Sequence, residues 1–243
     1  MEKALKQPSL KSKVQKVKAK FAAAYYGNPS KDMKVIAVTG ANGKATVARF
    51  VQEILKATDP KAGLIEGTER ALTPASLQKQ MSKSWRAGAN HVVVAVSTED
   101  LRNQAFDGVP LHMVVMADSL GAEGAQETGG DYDLVKSGLF EGQPEYAVLN
   151  YDDPYFEYVE KYPTKKGAVS YGNDKNADTW VSRTKLYKKG AEATLTQNNS
   201  GFDVATYMTG EEAVPYMAAA ATAGLLLGAD IDAIVDGIAS YEP

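Results

Sequence analysis

The segment Lys34-Val-Ile-Ala-Val-Thr-Gly-Ala-Asn-Gly-Lys-Ala-Thr-Val-Ala-Arg-Phe50 decides the fold of this chain. A short apolar run, Val35 to Val38, predicts a buried β-strand and leads into a glycine-rich turn that ends at Lys44. Apolar residues then recur at helical spacing, at Val47, Phe50, Val51, Ile54 and Leu55. A strand, a glycine loop and a helix N-terminus in this order predict a phosphate-binding loop.

The residues of this loop supply part of the chemistry that such a loop needs. Gly40 and Gly43 allow backbone N–H groups to converge on phosphate oxygens, and Lys44 adds a positive charge for the outer phosphates. The position after the lysine usually carries a Ser or Thr hydroxyl that holds Mg²⁺, but here it is Ala45. The sequence therefore predicts the phosphate-binding fold without one of its metal ligands.

Composition excludes several classes of protein. The chain has 243 residues, 44% of them hydrophobic, which is enough for a substantial core. A net charge of −3 argues against a general nucleic-acid binder, and the lack of cysteine excludes disulfides, thiolate chemistry and Cys-based zinc sites. No apolar run approaches the roughly 20 residues that span a bilayer, and the start lacks the apolar core of a signal peptide. We expect a cytoplasmic protein with no nucleic-acid or membrane partner.

Strand and helix patterns alternate from residue 34 onward. Short apolar runs predict parallel strands at Lys34–Thr39, His91–Val96, Leu111–Met116 and Tyr146–Leu149. Helical patterns lie between or after them, at Ala45–Ala57, Pro74–Ala87, Tyr132–Phe140 and Pro154–Tyr162. The later patterns indicate antiparallel strands at Thr179–Tyr187, Ala193–Gln197 and Phe202–Thr209, then helices at Glu211–Leu227 and Ile231–Ala239. The prediction is an α/β fold with a doubly wound, mostly parallel sheet and a small antiparallel lobe over residues 178–209.

Residues 1–30 form a separate unit in this prediction, and residues 31–243 form the main domain. Seven lysines lie between Lys3 and Lys20 against a single acid, Glu2. Apolar residues at helical spacing predict a basic amphipathic helix, with Leu10, Val14, Val17 and Phe21 on one face. We favour a helix that docks this apolar stripe on the domain and exposes its lysines. The alternative is a helix that binds an anionic partner.

The chain resembles the Mur ligases through several motifs in order along the sequence. The loop Thr39-Gly-Ala-Asn-Gly-Lys44 differs from the family's T-G-T-N-G-K only at Ala41. The other matches are Phe21-Ala-Ala-Ala-Tyr-Tyr-Gly-Asn-Pro-Ser30, Leu72-Thr-Pro74, Tyr132-x-x-x-Lys136-x-x-Leu139-Phe140, Asn150-x-Asp152-Asp-Pro154, Ser170-Tyr-Gly172, and the small-residue helix Ala218–Leu227 with its sequel Gly228–Ile234. They are most similar to the central, ATP-binding domain of UDP-N-acetylmuramoyl-tripeptide synthetases, which add the third amino acid in peptidoglycan-precursor synthesis.

The resemblance implies a role for each matching residue. The loop residues Gly40, Asn42, Gly43 and Lys44 would hold the ATP phosphates, and Thr46 would cap the helix and contact a phosphate. Lys136 matches the lysine that the family carbamylates and uses to ligate a second Mg²⁺. Asn150 and Asp153 match residues that contact the base and ribose. In the family, ATP activates a substrate carboxylate as an acyl phosphate, which the incoming amino acid attacks.

Departures from the family's pattern fall on the metal and nucleotide ligands. Ala45 replaces the hydroxyl ligand, and Ala95 replaces the glutamate of the family's E-V-S-S-H-A-L element. A histidine ligand of the family is missing from the stretch Leu120–Glu127, and Ala213 replaces the asparagine that touches adenine. The family's UDP-binding N-terminal domain and amino-acid-binding C-terminal domain also have no counterpart in residues 1–243. We therefore expect ATP binding to be weak or lost and Mg²⁺ not to bind.

Two functions of different classes remain open. The chain is either an ATP-binding ligase domain that is inactive alone, or a non-catalytic scaffold or interaction module that keeps the fold. Alanine at four altered positions favours deliberate removal of the ATP site over natural degeneration, and these positions are Ala41, Ala45, Ala95 and Ala213. In either case phosphate or sulfate is the expected ligand of the Gly40–Thr46 loop.

Other polar residues have simpler explanations. Asp131, Asp133, Glu123 and Glu127 lie among glycines and indicate a solvated loop rather than a metal cluster. His91 and His112 begin apolar strands, which predicts structural roles.

Overall fold

A single nine-stranded sheet organises the protein. The computed structural model describes residues 10–66, 70–117 and 137–241, and β1 (Lys34–Thr39) lies near the centre of the sheet. The strand order is β2-β3-β1-β4-β5-β6-β7-β8-β9. The remaining strands are β2 Gly63–Ile65, β3 His91–Ala95, β4 Met113–Met116, β5 Tyr146–Asn150, β6 Gly167–Gly172, β7 Thr179–Tyr187, β8 Gly190–Gln197 and β9 Ser200–Thr206.

Strand β1 pairs in parallel on both sides, which explains its continuous apolar run. Val35 is in register with Val92 of β3, and Ile36 is in register with Met113 of β4. Every residue of β1 after Lys34 is buried. Since a parallel strand covered on both faces has no solvent side, apolar residues are favoured at every position rather than at alternate ones.

Helices cover both faces of the sheet. The helices are α1 Leu10–Tyr25, α2 Lys44–Lys56, α3 Pro74–Arg86, α4 Thr98–Arg102, α5 Phe156–Val159, α6 Ala213–Leu227 and α7 Ile231–Ala239. Short 3₁₀ turns lie at Pro29–Lys31 and Ser137–Leu139. Helices α2, α6 and α7 share one core, and α3 belongs to the core on the other face. The predicted doubly wound, mostly parallel α/β fold is confirmed.

Small residues let two helices, α6 and α7, pack closely beside the phosphate-loop helix α2. A Cβ on Gly237 of α7 would lie 2.6 Å from the backbone nitrogen of Ile54 in α2. A Cβ on Gly224 of α6 would lie 3.0 Å from Cγ2 of the same isoleucine. Helix α6 is apolar around its circumference and largely buried. These contacts fix α2, and with it the loop at its N-terminus.

The antiparallel strands continue the main sheet. β7 pairs in parallel with β6 through Tyr171 and Gly172, and then pairs antiparallel with β8. Asn198 and Asn199 connect β8 to β9 with φ values of 50° and 62°, as a two-residue hairpin turn requires. The predicted antiparallel lobe is therefore the edge of one continuous sheet.

Several elements differ from the sequence prediction. The short strand β2 and the strand β6 were not predicted, and neither was the five-residue helix α4. The helix predicted over Pro154–Tyr162 is reduced to α5. Of the helix predicted over Tyr132–Phe140, the described part contains only the 3₁₀ turn, and the rest lies outside the described residues.

Helix α1 packs on α3 through a face that the sequence did not indicate. Ala19 is buried, and the Ser82 hydroxyl donates a hydrogen bond of 3.0 Å to the Tyr26 carbonyl just after α1. Val17 and Phe21 are exposed by 51% and 73%, so the expectation that the apolar stripe docks is wrong for these residues. The small side chain of Ala19 lets this face of α1 approach α3 more closely than the face with Val17 and Phe21 could. Of the helices described, none has the length and hydrophobicity to cross a membrane.

Candidate functional site

The glycine loop connects the carboxyl end of β1 to the N-terminus of α2. Gly43 is the N-cap of α2 and has a φ of 71°, a left-handed conformation that favours glycine. The first helical hydrogen bond runs from the Val47 N–H to the Gly43 carbonyl at 2.8 Å. The N–H groups that precede it have no acceptor within the helix. The loop thus has the backbone geometry of an anion site at a helix N-terminus.

The ring of Tyr216, in α6, packs against the outside of this loop. A Cβ built on Gly43 would lie 2.1 Å from Cε1 and 2.3 Å from Cζ of this ring. Tyr216 is 5% exposed. Gly43 is therefore required for two reasons, its backbone conformation and the space that the ring occupies. This contact was not predicted from the sequence, since the two residues are distant along the chain.

A cleft of about 590 Å³ lies over the loop, at the carboxyl ends of β1, β2 and β3. Lys44 lines it, and its Nζ is 3.4 Å from the Ala41 carbonyl oxygen. Of the predicted loop residues, Asn42, Gly43, Lys44 and Thr46 line the cleft, and Gly40 lies just after β1. The other lining residues are Ala41, Ala45, Ile65, Glu66, Ala71, Leu72, Ala95, Ser97, Glu99 and Asp100.

The residues of this cleft do not fit a Mg²⁺ ion as the family would hold it. Ala45, in the first turn of α2, and Ala95, at the end of β3, both line the cleft where the resemblance places a hydroxyl and a carboxylate ligand. Their methyl groups offer no oxygen, whereas Mg²⁺ requires oxygen ligands. Across residues 10–66, 70–117 and 137–241, no group of three or more His, Asp or Glu side chains is arranged to hold a metal ion.

Three carboxylates that the sequence prediction did not include line the cleft, namely Glu66, Glu99 and Asp100. Glu66 accepts a hydrogen bond of 2.9 Å from Nε of Arg49 and a second, shorter one from Nη2. Glu99 is largely exposed, and one of its oxygens is 3.5 Å from Nη1 of Arg102. Each of these two carboxylates is thus paired with an arginine at the wall of the cleft.

Asp100 holds the wall of the cleft together. It is 4% exposed, and its carboxylate accepts hydrogen bonds from the backbone N–H of Ser97 at 2.7 Å and of Leu72 at 2.5 Å. The Ser97 hydroxyl accepts in turn from the Asp100 N–H, which completes a capping box at the start of α4. The Ser-x-x-Asp spacing after an apolar strand is the sequence signal that indicates this cap.

Asn150 and Asp153 lie apart from the cleft. Asn150 is the last residue of β5 and Asp153 lies in the turn after it, and β5 is separated from β1 by β4. Asn150 Oδ1 accepts from the Asp152 N–H at 3.0 Å, and Asp153 Oδ1 accepts from the Tyr155 N–H at 2.8 Å. Because β4 and β5 run parallel to β1, this turn lies at the same edge of the sheet as the glycine loop. Lys136 is outside the described residues, as are Asp131, Asp133, Glu123 and Glu127.

Both histidines lie at the amino ends of strands, His91 as the first residue of β3 and His112 just before β4, and so at the opposite end of the strands from the glycine loop. His91 Nδ1 is 3.0 Å from Oδ2 of the buried Asp59, which also accepts from the Asn90 and His91 N–H groups. Burial alone would raise the pKa of Asp59, but these hydrogen bonds hold it below its ordinary value. Burial lowers the pKa of His112, against the opposing effect of Glu145 at 3.4 Å. These contacts stabilise the start of two strands.

The sequence matches the Mur ligase middle domain over residues 38–224. One relative is a UDP-N-acetylmuramoyl-L-alanyl-D-glutamate–2,6-diaminopimelate ligase from Geobacillus kaustophilus, 30% identical, with 92% of this chain and 50% of that protein covered. A protein of the same name from Nostoc is 28% identical, with 92% and 48% covered. The chain thus spans about half the length of these relatives.

Solved structures agree with this result at the level of the fold. A UDP-N-acetylmuramoyl-L-alanyl-D-glutamate–2,6-diaminopimelate ligase superimposes with a TM-score of 0.79 at 22% identity, covering 98% of this chain and 53% of the other. The MurF ligase of Thermotoga maritima, in complex with ADP, superimposes with a TM-score of 0.70 at 19% identity, covering 100% and 56%. The chain belongs to the Mur ligase middle-domain family.

Proposed function

We propose that this chain is a Mur ligase middle domain that keeps the phosphate-binding loop but does not carry out metal-dependent ligase chemistry. The observation that carries the proposal is the pair of methyl groups, Ala45 and Ala95, in the wall of the cleft beside Lys44. The expected ligand is an anion such as phosphate, sulfate or the phosphates of a nucleotide, and Gly40, Asn42, Gly43, Lys44 and Thr46 are its proposed binding residues.

The glycine loop supports weak anion binding. The positive end of the α2 dipole and the unpaired N–H groups of its first turn favour negative charge at this point. Lys44 is partly exposed and is free to turn from the Ala41 carbonyl toward a bound phosphate, since 3.4 Å is a long and weak contact. A related protein, the Thermotoga maritima MurF ligase, has been solved with ADP, which supports a nucleotide as the natural ligand of this fold.

The replacement of metal ligands in the cleft opposes tight nucleotide binding. A nucleoside triphosphate carries several negative charges, which metal ions neutralise in phosphoryl-transfer sites. Here the ligands for a neutralising ion are replaced by alanine, and the nearby carboxylates Glu66 and Glu99 are each paired with an arginine. Asn150 and Asp153 remain as proposed contacts to the base and ribose. Lys136 matches a metal ligand of the family, but we do not propose that it holds a metal ion in this chain.

Catalysis requires more than this site supplies. Acyl-phosphate formation brings the γ-phosphate against a carboxylate, and the charge that develops has to be stabilised by positioned cations or donors. Loss of a single such donor typically lowers the rate by about 10²–10³-fold. With the metal ligands at positions 45 and 95 replaced by alanine, the stabilising cation is missing as well, and we propose that this polypeptide alone has no ligase activity.

A scaffold or interaction module is the second candidate function. The observation that favours it is the well-packed loop support, in which Tyr216 fills the space against Gly43 while the cleft has lost its metal ligands. Such a protein would keep the fold of the family and present its surface, rather than its cleft, to a partner.

Phosphate release from ATP tests the proposal. The assay contains a UDP-N-acetylmuramoyl-peptide, candidate amino acids and Mg²⁺ at high protein concentration, with Lys44→Ala as the matched control. We expect the two proteins to release phosphate at the same background rate. Turnover by the unaltered chain above that of Lys44→Ala would refute the inactive assignment. Sulfate binding that is lost in Lys44→Ala would support the anion site, and its absence from both proteins would favour the scaffold.

A further inference from the structure

The outer face of α1 combines an apolar stripe with basic margins. Val17, Phe21 and Tyr25 are 51%, 73% and 82% exposed, and their spacing of four residues aligns them along one side of the helix. At roughly 100° per residue, Lys18 falls on one margin of this stripe and Lys20 on the other. The opposite side of α1, with Ala19, is the side that packs on α3.

Helix α3 adds positive charge next to the C-terminal end of this stripe. Lys79, Lys83 and Arg86 are exposed and line a hollow of about 620 Å³ together with Tyr26. The ring of Tyr26 contacts the ring of Tyr25 edge-to-face at 5.0 Å, which joins the hollow to the apolar stripe. We call this surface the basic-apolar face, comprising Val17, Phe21, Tyr25, Lys18, Lys20, Lys79, Lys83 and Arg86.

The charge of this face contrasts with that of the protein. Neither α1 nor α3 contains an acidic residue, although the whole chain has a net charge of −3. Among the ion pairs between described residues, none involves the basic residues of the face. Lys20 shares a hollow with Asp107 and Glu141, but Lys18, Lys79, Lys83 and Arg86 have no ion pair among the described residues. The face therefore keeps an excess of positive charge, and its complement is an anionic surface.

We propose that the basic-apolar face binds the surface of an anionic lipid bilayer, with α1 lying in the plane of the headgroups. Apolar side chains along the centre of a helix and lysines along its margins are the features that place a helix at a membrane interface. The exposed rings of Phe21 and Tyr25 insert among the headgroups, and the cations of α3 contact lipid phosphates. This differs from the expectation of no membrane partner, which rested on the lack of a spanning segment and a signal peptide.

Shape and charge favour a bilayer over the other occupants. The stripe is a convex ridge on a helix about 12 Å long between its first and last members, too small for a typical protein interface of about 800 Å² on each partner. Four of the five cations are lysines, which act as point charges and suit a diffuse anionic surface better than bidentate recognition of one group. A symmetric contact between two copies would place both basic faces together and repel.

Vesicle co-sedimentation tests the proposal. The probes are phosphatidylcholine vesicles with and without about 30% phosphatidylglycerol, at low salt and at about 0.5 M salt. We expect the protein to sediment with the anionic vesicles only, and to be released by salt. The stripe variant Val17→Ser/Phe21→Ser and the charge variant Lys79→Gln/Lys83→Gln should each weaken binding by about tenfold or more.

Matched variants at the far edge of the sheet serve as controls. Leu186→Ser/Tyr207→Ser removes an exposed aliphatic and an exposed aromatic residue, and Lys188→Gln/Lys189→Gln removes two exposed lysines. Both should bind as the unaltered chain does. Circular dichroism checks the fold of every variant, and Phe21→Gln repeats the test with a smaller change if the stripe variant melts early.

Three results would overturn the proposal. They are no sedimentation with anionic vesicles at low salt, undiminished binding by the stripe variants, and self-association that the stripe variant abolishes while vesicles bind nothing. The last result would assign the face to a second copy of the chain. Since none of these variants touches the cleft, failure here would leave the phosphate-loop proposal intact.

Discussion

The contact between Gly43 and Tyr216 predicts a large cost for Gly43→Ala. The φ of 71° costs a residue with a Cβ about 1–2 kcal/mol. The new Cβ would also lie 2.1 Å from Cε1 of the ring, well inside an ordinary carbon–carbon contact of about 3.5 Å. Displacing a packed ring adds about 1–3 kcal/mol, so we expect a loss of about 2–5 kcal/mol in the free energy of unfolding.

A double-mutant cycle separates the two contributions. Tyr216→Ala alone should cost about 3 kcal/mol or more, because it removes a buried aromatic ring. In that background Gly43→Ala should cost only the backbone strain of about 1–2 kcal/mol. Urea unfolding followed by circular dichroism gives each free energy. An equal cost of Gly43→Ala in both backgrounds, or a cost below about 1 kcal/mol in the unaltered chain, would refute the proposed packing.

Three further predictions concern hydrogen bonds made by buried side chains. Asp59→Asn should destabilise the protein above pH 3.8, the ordinary pKa of aspartate. Because the pKa of Asp59 is lower in the folded protein, the difference in unfolding free energy between the two proteins should shrink as the pH falls from 3.8 through the folded pKa. Urea titrations at several pH values measure this difference. Tyr171→Phe removes a buried hydrogen bond of 2.7 Å to the Met116 carbonyl and should cost about 1–2 kcal/mol in urea unfolding, whereas no change would contradict the bond. Asp100→Ala should cost about 2–3 kcal/mol, and its exposed neighbour change Glu99→Ala less than about 0.5 kcal/mol; equal thermal shifts would argue against the capping role.

The sequence predicts the central strands and the phosphate loop because both are encoded by residues that are adjacent in the chain. A buried parallel strand requires apolar residues throughout, and the glycine turn follows it directly, so β1 and Gly43 are evident from residues that are neighbours in the chain. Strand β2 contains only three residues, too few for a periodicity. Strand β6 begins and ends with glycine and is partly exposed at its start, which hides it among turn signals.

Contacts between distant segments account for the rest. Helical spacing shows which residues of α1 share a face, but not which face docks. The docked side follows from the small Ala19 and the packing of α3, and these leave Phe21 outward. In the same way, Glu66 reaches the cleft because β2 lies beside β3, and Tyr216 reaches Gly43 because α6 packs beside α2. None of these neighbours can be read from local sequence.

Isothermal titration of ATP with and without Mg²⁺ tests the central claim most directly. The comparison uses the unaltered chain, Lys44→Ala, and the variant Ala45→Thr/Ala95→Glu, which returns an oxygen to each altered wall of the cleft. We predict weak binding that Mg²⁺ does not strengthen in the unaltered chain, and a gain from Mg²⁺ of about tenfold or more in the double variant. Tight ATP binding by the unaltered chain that depends on Mg²⁺ and is lost in Lys44→Ala would contradict the account.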